Sequence, residues 1–167
     1  MKKRVVKNSP FIKFKSSKIH NRGGFASKDI KKGTKIIEYG GKIITKKESE
    51  DLAEKQLEKS KINNKEGSVY IFELNKRYDI DGNVSWNKAR LLNHSCEPNS
   101  ESVNYNGHIW IISTKNIKKG EEITYDYGYN MDDYKNHPCK CSSKNCIGYI
   151  VAKKHRKRLL KKLEKLK

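Results

Sequence analysis

Cys139, Cys141 and Cys146 fall within eight residues of one another, and the chain holds one further cysteine, Cys96. Thiolates at this spacing converge on a single cation, and a tetrahedral zinc ion takes four ligands. A site of Cys96, Cys139, Cys141 and Cys146 would use every cysteine and tie the segment around residue 96 to the C-terminal tail. Two other assignments stay open on spacing alone: Cys96 as a free core cysteine beside a partial cluster, or His137 as the fourth ligand. A closed four-thiolate site keeps no open coordination position, so its metal would order the chain and do no chemistry.

Three further strings carry polar groups suited to a small-molecule site: His20-Asn21-Arg22-Gly23-Gly24-Phe25, Arg90-Leu91-Leu92-Asn93-His94-Ser95-Cys96, and Glu122-Ile123-Thr124-Tyr125-Asp126-Tyr127. The Asn93 amide offers both a donor and an acceptor, although Asn-His-Ser also describes an Asx-capped turn. Tyr125-x-Tyr127 places two phenols on one face of a strand, which alone would equally be a tyrosine-rich edge. Tyr70 and Phe72 form a similar same-face pair, whose ordinary role is core packing.

The elements that must position these groups are short. Lys35 to Ile44 holds two β-branched runs around Gly40-Gly41 and predicts strand, bend, strand. Thr45-x-x-Glu48 is a capping box, followed by Leu52, Ala53 and Leu57, and predicts one surface helix over residues 46–60. Asn63 to Gly67 predicts a loop, Ser68 to Leu74 an alternating strand, Trp86 to Leu92 a helical turn, and Asn106-Gly107 a hairpin. Leu159, Leu160, Leu163 and Leu166 recur at helical spacing among basic residues in the last fifteen positions. With no βαβ alternation, the fold class is mainly β.

Lys and Arg number 38 against 19 Asp and Glu, a net charge of +19, so the surface attracts polyanions in a salt-dependent way. A lysine-rich composition that merely solvates the surface accounts for the same charge. Val5-Val6 is followed at once by Lys7, which leaves no apolar stretch for a signal peptide, and no apolar run nears the roughly 20 residues of a transmembrane helix. No membrane partner is expected, and the expected compartment is intracellular and reducing, either nucleus or cytoplasm.

Taken together, in this order and at these separations, the four strings resemble the SET-domain protein lysine methyltransferases. The resemblance implies a SET-domain fold of several small sheets with a C-terminal pseudoknot, one short inserted helix and a C-terminal basic helix. It divides the chain into a basic arm at 1–17, a SET domain at 18–130, a post-SET zinc-binding tail at 131–152, and a basic amphipathic helix at 153–167. Cys96 with the three tail cysteines would be its structural zinc site. The pre-SET cysteine cluster of some members is absent from this sequence.

By the same resemblance the cofactor is S-adenosylmethionine, contacted by His20, Arg22, Gly23, Gly24, Tyr70, Arg90, Asn93, His94 and Tyr127. Asn21 stands where the family has a glycine, and asparagine tolerates the left-handed backbone such a loop needs. Tyr127 and Tyr125 would be the catalytic pair, with Tyr125 favouring mono- or dimethylation. Tyr39, Tyr70 and Phe72 would line the substrate-lysine channel. Lys42, Trp86 and Leu91 depart from the family's usual glutamate, glycine and phenylalanine without removing a catalytic group.

The reading is therefore a protein-lysine N-methyltransferase whose partner is a histone-like tail, with DNA, RNA or nucleosome contact through the basic surface and C-terminal helix. A catalytically silent SET-like module that binds chromatin or nucleic acid is the alternative, and it would leave the aromatic channel residues without a role. An unrelated zinc protein that binds nucleic acid would further leave Asn93-His94 and Tyr125-x-Tyr127 as coincidence.

Overall fold

The computed structural model describes residues 2–62 and 70–165. In chain order the elements are β1 (Lys3–Arg4), β2 (Ile12–Ser16), β3 (Arg22–Ala26), β4 (Lys35–Tyr39), β5 (Gly41–Thr45), α1 (Lys46–Ile62), β6 (Ile71–Glu73), β7 (Tyr78–Asp81), β8 (Asn93–His94), β9 (Ser100–Tyr105), β10 (His108–Ser113), β11 (Glu122–Tyr125) and α2 (Lys153–Glu164). They form a four-stranded sheet ordered β1-β5-β7-β6 and a seven-stranded one ordered β2-β3-β11-β9-β10-β4, with β8 paired to β11. The mainly β expectation holds.

Local chemistry explains several of these elements. The capping box forms as its spacing predicts: Thr45 N–H donates to the Glu48 carboxylate at 2.7 Å, and Glu48 N–H donates back to the Thr45 hydroxyl at 3.3 Å. Asn106 and Gly107, at φ +50° and +79°, close the β9–β10 hairpin with the turn twist that suits paired strands. Residues 88–91 form a single 3-10 turn. The predicted 63–67 loop, the first two residues of the predicted 68–74 strand, and Leu166 lie outside the described residues.

The topology adds two details. β4 and β5 do not pair with each other; β4 joins β10 in the larger sheet and β5 joins β1 and β7 in the smaller, so Gly40 marks a switch between sheets. The basic N-terminal stretch is woven into both sheets, through β1 on β5 and β2 on β3.

The main core lies between the sheets and includes Ile36, Ile37, Tyr39, Ile80, Leu92, Ile109, Ile111, Ile117, Ile123 and Tyr125. A second cluster gathers Tyr134, Val151 and Leu159, with Met131, Ile147, Tyr149 and Leu163 packed against it. Leu159 is fully buried, which docks α2 on the body of the protein, while Leu160 stays exposed. Among the described residues, no helix is long and apolar enough to cross a membrane.

Candidate active site and metal centre

Strand β11 brings the separate strings together. It pairs antiparallel with β3, Glu122 opposite Phe25 and Ile123 opposite Gly24, and parallel with β8, Thr124 opposite Asn93 and Tyr125 opposite His94. The glycine-containing turn, the Asn-His string and the tyrosine strand are thus laid side by side by main-chain hydrogen bonds. Asn21 takes φ +35°, the left-handed backbone expected of it.

Buried polar groups then set the turn. The two N–H groups of the Asn93 side-chain amide are shared among Glu122 Oε1 at 2.7 Å, the carbonyls of Arg22 at 3.1 Å and His20 at 3.4 Å, and Ser17 Oγ at 3.1 Å. Ser17 in turn donates to the Glu122 carboxylate at 2.8 Å. A side chain at Gly23 would overlap that carboxylate, and one at Gly24 would overlap Leu92, so both positions need hydrogen in place of a methyl. Burial, with the charge of Lys140, lowers the His20 imidazole below its ordinary range. The Arg90 guanidinium lies 5.7 Å from the Tyr70 ring centre.

Four of the aromatic residues named for the channel and the catalytic pair, Tyr39, Phe72, Tyr125 and Tyr127, form one cluster. Ring centres are 4.5 Å apart for Tyr39 and Phe72, 6.0 Å for Phe72 and Tyr125, and 5.0 Å for Tyr125 and Tyr127. Tyr39 donates to the Tyr70 carbonyl at 2.9 Å and Tyr127 to the Leu92 carbonyl at 2.9 Å, so each phenol is held at a set angle. Burial pushes the hydroxyls of Tyr39, Tyr125 and Tyr127 above the ordinary tyrosine range, aided by their mutual proximity. The cluster is a set of neutral donors.

His94 sits at its edge, 5.4 Å from Tyr127 between ring centres, and accepts the Tyr127 backbone N–H on Nδ1 at 3.2 Å. Burial brings the imidazole down to about 4, so it is the neutral ring that accepts this bond. Behind the strand, the Asp126 carboxylate receives Arg156 of α2 at 2.8 Å.

The four cysteine sulfurs all lie within 4.8 Å of one another. Cys96 Sγ is 3.9 Å from Cys139 and 4.0 Å from Cys146. These separations are far beyond a disulfide bond of about 2.05 Å and close to the roughly 3.8 Å edge of a zinc tetrahedron with 2.3 Å bonds. Against the effect of burial, hydrogen bonds from the Cys96 N–H and from Ser143 lower the Cys141 thiol to about 6. Burial raises Cys96 to about 11 and Cys139 further, so binding of a cation would draw protons from both. The donor set fits one zinc ion. His137 instead packs at 4.6 Å against Tyr129, outside this group.

Tyr129 is the aromatic residue that spacing passed over, its ring centre 5.6 Å from Tyr127. The alternation Tyr125-x-Tyr127-x-Tyr129 was the available signal. Ser17 gave no signal, and Glu122, although it opens the tyrosine string, gave none of its pairing with Ser17 and Asn93, which lie far from it in sequence. Arg156 was hidden in a basic run.

A profile of the SET domain family matches residues 21–128. The chain is 36% identical over 156 residues, 90% of its length, to histone-lysine N-methyltransferase trithorax of Drosophila melanogaster, of which it covers 4%. It is 39% identical over 143 residues, 83% of its length, to histone-lysine N-methyltransferase set-2 of Caenorhabditis elegans, covering 9% of that protein. It is 39% identical over 135 residues, 78% of its length, to human histone-lysine N-methyltransferase 2D, covering 2%. The chain thus spans less than a tenth of these much longer relatives. With the tyrosine strand seated between the glycine turn and the Asn-His string, and the family profile running through all three, this chain belongs to the SET domain family.

Proposed function

We propose that the chain is a protein-lysine N-methyltransferase that uses S-adenosylmethionine and acts on a histone or histone-like lysine. The observation that carries this reading is the aromatic cluster of Tyr39, Phe72, Tyr125 and Tyr127 set directly against Asn93, His94 and the 20–24 turn. Relatives named as histone-lysine N-methyltransferases support it.

When bound, S-adenosylmethionine supplies a methyl carbon made electrophilic by its sulfonium. His20, Arg22, Gly23, Gly24, Tyr70, Arg90, Asn93, His94 and Tyr127 would hold it. Arginine cations suit its carboxylate, and the neutral His20 ring adds no further positive charge. The channel residues Tyr39, Tyr70, Phe72 and Tyr125 disfavour an ammonium, as burial does for any lysine, and so favour the neutral amine that can attack. The phenols of Tyr125 and Tyr127, kept protonated by burial, orient its lone pair along the line of attack. Bound there, the cofactor would supply that methyl group to the amine nitrogen, whose surplus proton would leave to solvent. Tyr125 crowds the channel and favours mono- or dimethyl products.

Exposed Glu48, Glu50, Asp51, Glu54 and Glu58 give α1 an acidic side suited to a basic peptide. Exposed Lys154, Lys157, Arg158, Lys161 and Lys162 give α2 a basic ridge suited to nucleosomal or other nucleic-acid phosphate, and the nucleus is the matching compartment. Labelled S-adenosylmethionine incubated with the protein and a histone mixture, with Tyr127→Phe as control, tests the reading. Label on particular lysines that is lost in the control supports it. Cofactor binding without label on any protein favours a silent binding module.

A further inference from the structure

The C-terminal helix α2 is joined to the tyrosine strand by a group of contacts that the methyl-transfer reading does not use. Arg156 reaches three places at once: Nε donates to the Val151 carbonyl at 2.9 Å, Nη1 to the Cys96 carbonyl at 2.5 Å, and Nη2 to Asp126 Oδ2 at 2.8 Å. The same Asp126 oxygen accepts the N–H of Lys153, the first residue of α2, at 2.9 Å. Its other oxygen accepts the Gly128 N–H at 3.0 Å. Both Arg156 and Asp126 side chains are largely shielded, at 11% and 23% exposure, so water competes weakly with these bonds.

α2 needs Asp126. Its N-cap is Ala152, which offers no side-chain acceptor, and its first turn holds no acid. A helix start with unmet N–H groups and lysines at 153 and 154 is unfavourable on both capping and dipole grounds. The Asp126 carboxylate, borrowed from the end of β11, supplies the acceptor and the negative charge together.

The dependence also runs the other way. Asp126 lies between Tyr125, the last residue of β11, and Tyr127, and its Oδ1 is 3.8 Å from Nδ1 of His94. Holding this carboxylate therefore restrains the main chain that carries the two phenols. Arg156 further grips the carbonyl of Cys96, so the metal centre and the tyrosine strand are fastened to one guanidinium.

We propose that Arg156 is a positioning residue that locks the Tyr125–Tyr127 segment through Asp126, making α2 part of the working site and not an appendage. The proposal rests on the methyl-transfer reading for its kinetic consequence, and on geometry alone for its dynamic one. Lysine cannot replace the three-way fork, because an ammonium on a single stem cannot meet two carbonyls and a carboxylate in this geometry.

The test compares the full chain with Arg156→Ala, Arg156→Lys and Glu164→Ala, the last an exposed residue of the same helix. Zinc content and circular dichroism establish that each is folded and loaded. In Arg156→Ala, kcat is expected to fall between about 10- and 100-fold with KM for S-adenosylmethionine within about twofold, because a misplaced group costs rate more than binding. Added guanidinium ion should restore part of the rate, Arg156→Lys should lie between, and Glu164→Ala should match the wild type. Hydrogen exchange at Tyr127 and Gly128 should quicken by about tenfold or more in Arg156→Ala. A folded, zinc-loaded Arg156→Ala with wild-type kcat and exchange overturns the lock while leaving methyl transfer standing. If Arg156→Ala does not fold, wild-type kcat and exchange in Arg156→Lys overturn it. If the wild type transfers no methyl group, the methyl-transfer reading fails and the exchange arm alone decides the lock.

Discussion

The hydroxyl of Tyr127 donates to the carbonyl oxygen of Leu92 at 2.9 Å, across 35 positions of sequence. The phenol is thereby pinned to the residue that precedes Asn93, so the proposed catalytic oxygen and the proposed cofactor string move as one unit. Tyr127→Phe removes this bond while keeping the ring contacts to Tyr125 and His94. Turnover should fall by at least about 100-fold, as for loss of a preorganised donor, while stability changes by about 1 kcal/mol, as for one hydrogen bond. Near-normal turnover in the folded variant would remove Tyr127 from the chemistry.

Tyr125 is buried against Phe72 and Tyr127. Tyr125→Phe deletes one oxygen from the channel wall without opening a large cavity. The products should shift from mono- and dimethyl toward trimethyl lysine, read by mass spectrometry on a single peptide. An unchanged distribution would mean that another group limits the space.

Burial raises Tyr39, Tyr125 and Tyr127 above their unfolded range near 10. A raised acid binds its proton more tightly in the folded state, so its contribution to stability is fully present below about pH 10 and is lost as pH climbs from there toward the folded value. Tyrosinate absorbance below about pH 10 should therefore be the same in the wild type and in Tyr125→Phe, and denaturant midpoints should decline only above that pH. An early tyrosinate signal that disappears with Tyr125→Phe or Tyr127→Phe would contradict this.

Cys141 is the one cysteine of the four drawn down, to about 6, by hydrogen bonds from the Cys96 N–H and Ser143 that outweigh the effect of burial. Cys141→Ser should take zinc from one per chain toward none, measured by elemental analysis. The thermal midpoint should fall by at least about 5 °C, because a structural metal contributes to folding directly. Full zinc retention would exclude Cys141 as a ligand.

A methyl at Gly82 would land on the hydroxyl and ring of Tyr39, which is almost wholly buried and cannot turn aside. Gly82→Ala should destabilise by about 1–3 kcal/mol, the usual cost of overpacking. Activity should drop further than stability explains, since Tyr39 forms a wall of the proposed channel. Unfolding by denaturant, with turnover measured per folded molecule, separates the two effects.

Much of this protein is legible in residue order alone, and the reason is that the legible parts are local. Thr45 and Glu48 meet within one helical turn, Asn106-Gly107 closes its own hairpin, and Cys139, Cys141 and Cys146 converge over a few residues. The aromatic set Tyr39, Tyr70, Phe72, Tyr125 and Tyr127 was named by resemblance; the rings of Tyr39, Phe72, Tyr125 and Tyr127 pack in sequence, and the Tyr70 carbonyl accepts the Tyr39 hydroxyl.

Tertiary structure decided the rest, wherever partners are distant in sequence and chemically unremarkable on their own. Ser17 meets Glu122 across 105 positions, and although Glu122 opens the tyrosine string, nothing around Ser17 marks it as the partner. β4 and β5 read as one strand, bend, strand unit, yet each satisfies its main-chain groups in a different sheet. Arg156 looks like any charge of a basic helix until the fold sets it beside Asp126, Val151 and Cys96, where three acceptors with little access to water need a forked donor. Sequence specifies which groups are available and what short-range geometry they prefer. Only the folded chain determines which of them lose water together, and it is that shared loss of water that turns a common side chain into a structural or chemical one.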